Sequence, residues 1–456
     1  MKPVPVIAIF DVGKTNKKLF LFDEQYKIVY EESKQLKETE DEDGFACEDV
    51  NALTEWIKET FSKAIANKDF QIKAVNFSAY GASFVCLDKD GKVTAPLYNY
   101  LKPFPTLLQK NFYDTYGGES VVAKETASPV LGNLNSGMQL YRLKYEKPEL
   151  FSKIKFALHL PQYLSYILSN TASTDITSIG SHTNLWDFQR NNYHKWVKEE
   201  ELLEKFAPLK DCCVIAGYIN NEIPVGTGLH DSSAALIPYL SSFNEPFILL
   251  STGTWCISLN PFNYTMLSDY ELHNDCLCYL SYLGKPVKAS RLFAGYEHEQ
   301  QVKKLAEHFH TSLNYYKKIQ PDYNFIKGIN IGELVSVHNQ KVMVGQSKFN
   351  GRDLNNFNNY EQAYHQLIAD IIEQQIRSTN LVLKNTPVKK IFVDGGFSRN
   401  PIYMHLLANA FKQIEVYAAQ MPEATSLGAA LAIHKIWNNN SVPSDIIQLK
   451  SYHKLL

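Results

Sequence analysis

The sequence predicts an α/β chain built as two similar halves, and three observations carry that prediction. Apolar runs of strand length alternate with apolar positions at helical spacing over most of the chain, which argues for helices layered on sheets. A unit of strand, polar glycine turn and strand opens the chain at residues 9–22 and returns at residues 247–259. With 456 residues there is material for two or three domains of about 150 residues each. No short-period repeat or low-complexity tract interrupts them. The main boundary is placed near residue 240, giving an N-terminal domain over 1–240 and a C-terminal domain over 241–456.

Residues 6–10 and 19–22 are apolar strands, and Gly13 permits the tight return between them. The turn leaves Asp11 and several hydroxyl and amide donors at one strand end, where phosphates and a hydrated metal can be met. Gly13-Lys14-Thr15 mimics the end of a P-loop, but the first glycine of that pattern falls on Ala8 and a strand follows instead of a helix. Next, Leu53, Trp56, Ile57, Phe61, Ala64 and Ile65 recur at helical spacing and predict one buried stripe. Residues 74–78 form a strand ending in Tyr80-Gly81-Ala82-Ser83, and residues 84–87 with the Asp88-Lys89-Asp90-Gly91 turn predict a hairpin. Residues 101–170 predict a helical insertion, from Leu134, Met138, Leu140, Tyr141 and Leu143 to Tyr163, Ile167 and Leu168. In the second half a strand at 247–250 turns through Ser251-Thr252-Gly253-Thr254 and returns at 255–259. A long helix over 360–384 buries Tyr364, Leu367, Ile368, Ile371, Ile372 and Ile376, and the strand at 390–393 runs into Gly395-Gly396.

Composition narrows the function. A hydrophobic content of 45% with 21% charged residues is ordinary for a soluble globular protein, and a net charge of -2 offers no basic footprint for nucleic acid. Small molecules are therefore the expected partners. Residues 1–10 lack the length and cleavage site of a secretory signal, and no apolar run approaches the roughly 18 residues that span a bilayer, so a cytoplasmic location is expected. The seven scattered cysteines read as reduced thiols. His273, Cys276 and Cys278 supply three soft ligands without a fourth, in a segment that alternates like a strand, so strand packing is expected there.

Four loops, each following a strand, hold polar groups: residues 11–18, 228–233, 251–254 and 394–400. In that order the set resembles the FGGY carbohydrate kinases of the actin-like ATPase superfamily, over residues 6–440. The resemblance implies two ribonuclease-H-like domains around a central cleft, with sugar on the N-terminal side and ATP on the C-terminal side. Asp11-Val12-Gly13-Lys14-Thr15-Asn16 with Lys18 matches the first phosphate loop: Asp11 stands where the family holds Mg2+, and Gly13, Thr15, Asn16 and Lys18 where it meets phosphate, with Lys18 in place of the usual Arg. Ser251, Thr252, Gly253 and Thr254 match the second phosphate loop, whose small residues let backbone N–H groups approach the nucleotide.

Gly228-Leu229-His230-Asp231-Ser232-Ser233 matches the catalytic segment, in which Asp231 takes the proton from the sugar hydroxyl. A placed carboxylate aids such an alcohol by about 10² to 10⁴ in rate. The competing role for Asp231 is to cap a helix over 232–236, worth about 1 kcal/mol. Asp394-Gly395-Gly396-Phe397-Ser398-Arg399-Asn400 and Pro422-Glu423-Ala424-Thr425-Ser426-Leu427-Gly428-Ala429-Ala430 match the adenosine segment: Gly395 and Gly396 leave room for the nucleoside, Phe397 lies in the same loop, Asn400 meets its polar edge, and residues 425–430 start and pack the closing helix.

Within the family the likeness is to the L-fuculose and L-rhamnulose kinases. It rests on Thr174-Asp175-Ile176-Thr177 and Val85-Cys86-Leu87-Asp88-Lys89-Asp90-Gly91. It implies transfer from ATP to the 1-hydroxyl of a 6-deoxyketohexose, with Gly81, Ala82, Ser83 and His230 joining Asp231 around the sugar. The pattern departs in places: Ala82 and Ser83 stand where relatives carry a sugar-facing Asp, Asn99 and Tyr100 replace a polar-aromatic pair, Gln139 and Arg142 replace Lys and Trp, and Ile371 breaks the second signature. A pentulose kinase for D-xylulose or L-ribulose is the runner-up. The rival class is a non-catalytic actin-like sugar sensor, which has no need of Asp231 aligned with Asp11, and no helix-turn-helix stands at either end. A homodimer is compatible with the chain, though no residue specifies one.

Overall fold

The computed structural model describes residues 2–329, 347–421 and 423–453, and the chain divides into two compact units. One comprises Met1–Ser242, Cys278–Pro286 and Pro422–Ile446; the other comprises Phe243–Leu277, Val287–Met421 and Ile447–Leu456. The second half therefore differs from the continuous stretch 241–456, because two returns join the first unit. Packing explains the later return. The Ala424–Ala432 helix lies so close to the Asp231–Ser242 helix that a Cβ on Gly428 would stand 1.9 Å from the Ala234 carbonyl oxygen.

The first unit is built on a seven-stranded sheet in the order Ile215–Ile219, Ile223–Gly226, Phe70–Ala79, Val4–Val12, Lys17–Asp23, Ile28–Lys34, with Leu229–His230 also paired to Phe70–Ala79. Lys17–Asp23 returns antiparallel to Val4–Val12 and sets Lys18 opposite Asp11. Phe70–Ala79 runs parallel and sets Ser78 beside Asp11. Leu229 pairs with the same Ser78 from the other side, and His230 with Ala79. Three parallel strands thus deliver Asp11, Gly81 and Asp231 at their carboxyl ends, the edge where open α/β sheets receive ligands.

Aromatic packing anchors this sheet. Phe10 stacks on Phe77 at 5.8 Å and meets the edge of Trp56 at 5.6 Å. Trp56 comes from the Val50–Ala66 helix, which Asp49 caps by accepting from the N–H groups of Asn51 and Ala52. Leu53, Trp56, Ile57, Phe61 and Ala64 are buried as the spacing predicts, but Ile65 is 47% exposed, one residue past Ala64 and turned off the stripe.

The expected hairpin after residue 84 is also different. Phe84–Leu87 pairs antiparallel with Phe156–His159. Its own turn also closes into a short return, with the Gly91 N–H on the Asp88 carbonyl at 3.1 Å, the Asp88 N–H on the Lys92 carbonyl and the Thr94 N–H on the Cys86 carbonyl, both at 2.9 Å, around a Leu87–Val93 bridge. Pro96, which has no N–H, follows too soon for a ladder. The helical insertion is present as Thr106–Tyr116, Glu119–Glu125 and Ser136–Glu146, around a core where Phe112 meets Trp196 at 5.1 Å and Tyr141 at 5.0 Å.

In the second unit Phe247–Thr252 pairs antiparallel with Cys256–Asn260 and parallel with Lys390–Gly395, repeating the opening plan of the first. Glu415–Gln420 and Gln448–Tyr452 extend the sheet. The Tyr360–Leu383 helix, capped by Asn359 on the Gln362 N–H, buries Tyr364, Leu367, Ile368, Ile371, Ile372 and Ile376. Cys276 and Cys278 are buried in the Cys276–Leu280 strand, all seven cysteines are free, and among the described residues neither joins a metal-ligating cluster. No helix among the described residues is long and apolar enough to cross a membrane.

Candidate active site

The first strand end gathers the groups of the 11–18 turn. The Gly13 N–H donates to the Asn16 carbonyl at 2.9 Å, which closes the turn and leaves Thr15 and Asn16 exposed. Lys18 Nζ pairs with Glu423 Oε1 at 2.7 Å, and Asn16 Oδ1 accepts from Gln35 Nε2 at 3.0 Å. Asp11 Oδ2 accepts the hydroxyls of Thr425 at 2.6 Å and Ser426 at 3.2 Å, both from the start of the returning helix. Among the described residues no donor reaches Oδ1. Burial pushes the Asp11 carboxyl up to about 6; the Thr425 hydroxyl opposes the rise, and the charges of Asp231 and Glu423 add to it. A carboxylate with one free oxygen and two anionic neighbours fits a hydrated cation. Pro422, in the same motif, lies outside the described residues.

The second strand end presents Asp231. Gly228 has φ +78, and a Cβ there would stand 2.4 Å from the Pro161 carbonyl oxygen, so only glycine lets the chain enter. The His230 N–H then donates to Thr177 Oγ1 at 3.0 Å, and Thr177 Oγ1 donates to the buried carboxylate of Asp175. Asp231 is the first residue of its helix, not a cap reaching two or three residues on. Its Oδ1 accepts from the Ser232 N–H at 2.5 Å and Ser232 Oγ at 3.2 Å and lies 3.3 Å from His230 Nε2. Among the described residues no donor reaches Oδ2, and the side chain is 35% exposed.

Around Asp231 the 81–83 loop is tightly held. A Cβ on Gly81 would come within 2.8 Å of the His230 ring. Ala82, at φ 62, offers its carbonyl to Gln139 Nε2 at 2.7 Å, and that same amide also donates to the Asn133 carbonyl at 2.7 Å. Gln139 thus supports the loop instead of meeting a ligand. Ser83 is 1% exposed and its hydroxyl donates to the Tyr98 carbonyl at 3.4 Å, so the expected sugar contact through Ser83 is turned inward. Asn99 donates to the Ala46 carbonyl at 3.0 Å.

Two neighbours escaped the sequence reading, and a third was named there. Tyr279 and His182 lie 5.3 and 6.2 Å from the His230 ring, centre to centre. Tyr100 has its phenol raised by burial and then by the charge of Asp231. Only a contact map could link Tyr279 to a loop two hundred residues away. Tyr100 is the residue already singled out in the sequence as a departure from the family's polar-aromatic pair.

The second unit carries the other predicted loops. The Gly253 N–H donates to the Trp255 carbonyl at 2.8 Å. Gly395, at φ +84, lies where a Cβ would be 1.9 Å from the Thr252 carbonyl oxygen, which in turn accepts the Gly396 N–H at 2.8 Å. Thr252 Oγ1 donates to the Asp394 carbonyl and accepts the Phe397 N–H at 2.9 Å, tying the two turns together. Gly295 was missed; its Cβ would fall 1.8 Å from the Gly253 carbonyl oxygen. A cavity of about 580 Å³ opens here, lined among others by Gly253, His298, Tyr316, Tyr364, Phe397 and Asn400, a size suited to a small ligand.

Asn400 departs from expectation. Its Oδ1 caps the Pro401–Ala410 helix at the Ile402 and Tyr403 N–H groups, and its Nδ2 donates to the Tyr364 hydroxyl at 2.9 Å, so its amide is already committed. Phe397 stacks on Tyr403 at 4.5 Å and is largely buried. His298 Nε2 lies 3.0 Å from the Tyr364 hydroxyl, and burial lowers this imidazole to about 4, which keeps it neutral.

The model of the FGGY carbohydrate kinase N-terminal domain matches residues 6–237, and two models of the C-terminal domain match residues 244–321 and 362–434. The chain belongs to the FGGY family of carbohydrate kinases. It is by family a phosphotransferase, and its mixed α/β fold is that of two actin-like ATPase domains. Among curated relatives, a rhamnulokinase of Halalkalibacterium halodurans is 22% identical over 446 residues, covering 92% of this chain and 89% of that one. A rhamnulokinase of Mannheimia succiniciproducens is 25% identical over 267 residues, 55% of this chain and 52% of that protein. Among solved FGGY-like structures, a carbohydrate kinase from Novosphingobium aromaticivorans has a TM-score of 0.79 at 20% identity, covering 99% of this chain and 95% of that one. A xylulose kinase from Lactobacillus acidophilus has a TM-score of 0.79 at 16% identity over 99% and 94%. A glycerol kinase from Plasmodium falciparum with ADP has a TM-score of 0.73 at 16% identity over 99% and 94%.

Proposed function

We propose that this FGGY kinase transfers the terminal phosphoryl group of ATP to the 1-hydroxyl of a 6-deoxyketohexose, L-rhamnulose or L-fuculose. The observation that carries the reading is Asp231: its Oδ1 is held by Ser232 while Oδ2 is free of donors among the described residues and open to a substrate hydroxyl. The likeness to a rhamnulokinase over nearly the whole chain supports the choice of sugar.

In this reading Asp231 Oδ2 accepts the proton of the sugar hydroxyl as its oxygen bonds to phosphorus, and later returns that proton to solvent. His230, kept neutral by burial, orients the sugar from Nε2 beside Asp231. Gly81 gives the sugar close approach to the backbone. Asp11 holds a hydrated Mg2+, which when bound neutralises charge between the phosphates. Gly13, Thr15, Asn16 and Lys18 act on phosphate oxygens, with Lys18 leaving Glu423 to do so. The small residues Ser251, Thr252, Gly253 and Thr254 let the nucleotide approach this turn closely, with the Gly253 N–H already held by the Trp255 carbonyl, and the cavity at Gly396, Phe397 and Tyr364 takes the nucleoside. An ATP-dependent kinase with free cysteines fits the cytoplasm.

The test is turnover of purified protein with ATP and a panel of ketoses and polyols, followed by ADP release. The reading expects the highest kcat/KM with L-rhamnulose or L-fuculose. A preference for D-xylulose or L-ribulose would replace it with a pentulose kinase, and no turnover with any sugar would remove the kinase assignment of Asp231.

A further inference from the structure

Away from the strand ends, the turn after the Leu209–Lys210 strand carries Asp211, Cys212 and Cys213. Among the described residues this is the grouping of His, Cys, Asp or Glu side chains whose three ligand atoms all lie within 4.8 Å of one another. The two sulfurs stand 3.9 Å apart. Two thiolates bound tetrahedrally to one zinc ion, each at about 2.3 Å, stand about 3.8 Å apart. The vicinal pair therefore has the span that such an ion requires.

A second, independent observation lies beside the turn. Leu209–Lys210 runs parallel to Thr174–Asp175 with Lys210 opposite Asp175, so Asp211 is the next residue after the one paired with Asp175. Asp175 is wholly buried. Its Oδ1 accepts the N–H groups of Thr177 at 2.9 Å and Ser178 at 3.2 Å together with the Thr177 hydroxyl, while its Oδ2 is buried with no partner among the described residues. An unpaired buried carboxylate oxygen is costly.

We propose that Asp211, Cys212 and Cys213, flanked by Asp175, form a binding site for one thiophilic divalent cation of the Zn2+ class. Binding releases both thiol protons to solvent and replaces the bond from Cys212 Sγ to the Tyr282 carbonyl, 3.2 Å long here. Asp175 then serves as the buried counter-charge, and through Thr177 the site braces the His230 backbone. The fully reduced whole chain, in excess Mg2+, is to be titrated with Zn2+ by calorimetry and with Co2+ by absorbance. The expected results are one Zn2+ per chain and an ultraviolet thiolate-to-cobalt band. Cys212→Ser and Cys213→Ser should each abolish that band, and Asp175→Asn should weaken Zn2+ binding about 10-fold or more. Thermal melts identify any variant that fails to fold, and half-exposed Cys213 is the site least prone to that. No Zn2+ binding by the reduced protein, or binding unchanged in Cys213→Ser or in folded Asp175→Asn, overturns the proposal.

Discussion

Replacing Gly81 with Ala puts one methyl group against the machinery of the sugar side and nothing else. The new Cβ would lie 2.8 Å from both Cδ2 and Nε2 of His230, whereas an unstrained carbon contact is about 3.5–4.0 Å. The imidazole must retreat by about 1 Å, and it has little room, being buried with the Tyr279 ring 5.3 Å away. Gly81 is not among the positive-φ residues, so the backbone itself accepts alanine and the strain falls on the ring. His230 Nε2 lies 3.3 Å from Asp231 Oδ1, and displacing it displaces the carboxylate. A misplacement of about 1 Å in a reacting constellation costs about 10²-fold. Steady-state kinetics should therefore show kcat/KM for the ketose down by about 100-fold, with the KM for ATP and the melting temperature near those of the parent. Undiminished sugar kinetics would mean that His230 does not position Asp231 and that the 81–83 loop lies outside the pocket.

Four further outcomes follow from the geometry. Asp231→Asn should keep nucleotide binding, measured by fluorescence of a labelled ATP analogue, while turnover falls by about 10² to 10⁴; turnover close to the parent's would remove the base. Asp11→Asn should raise the Mg2+ concentration that half-activates the enzyme, and full activity of the parent in excess chelator would dismiss a metal at Asp11. Ser83→Asp should lower the melting temperature without reordering the sugars, since a carboxylate would be buried against the Tyr98 carbonyl at a cost of about 3 kcal/mol or more; a reordered series in a protein of unchanged stability would return Ser83 to the sugar. His298 is lowered from 6.5 to about 4 by burial, so below the unfolded value the unfolded chain binds the extra proton and stability falls with pH, by about 2 kcal/mol at pH 5 relative to pH 7.5. His298→Asn should lose that part of the acid sensitivity in urea unfolding, and an unaltered pH dependence would show the imidazole already protonated in the fold.

The strand–turn–strand units were legible because their apolar runs have strand length and their turns are marked by Gly13 and Gly253. Asp11 was found because it directly follows such a run, and Asp231 because residues 228–233 resemble the family's catalytic segment. The partner of Phe84–Leu87 was not legible, since the nearby Asp88–Gly91 turn favours a local hairpin while the real mate, Phe156–His159, is separated by the helical insertion. Side-chain direction was the other limit. Ser83 and Asn400 have the right chemistry for ligand contact, but nothing in their neighbours reveals that Tyr98 and Tyr364 already engage them. Thr425 and Ser426 were read as helix-starting residues, and their hydroxyls on Asp11 became apparent only from the return of that helix to the first unit.

Ser78 has Asp11 paired to one flank and Leu229 to the other. The spacing between Asp11 and the segment that leads into Asp231 is consequently a property of strand separation in the sheet, about 4.8 Å per step, and no loop length enters it. Under the proposed roles of Asp11 and Asp231, the 81–83 loop and the helical insertion can be redrawn while the spacing of those two carboxylates stays as the ladder sets it. A one-residue slip of the Phe70–Ala79 strand, by contrast, would move both carboxylates out of register at once. Loops at this edge are thereby free to drift, with the spacing of Asp11 and the Leu229–His230 strand held by backbone hydrogen bonds.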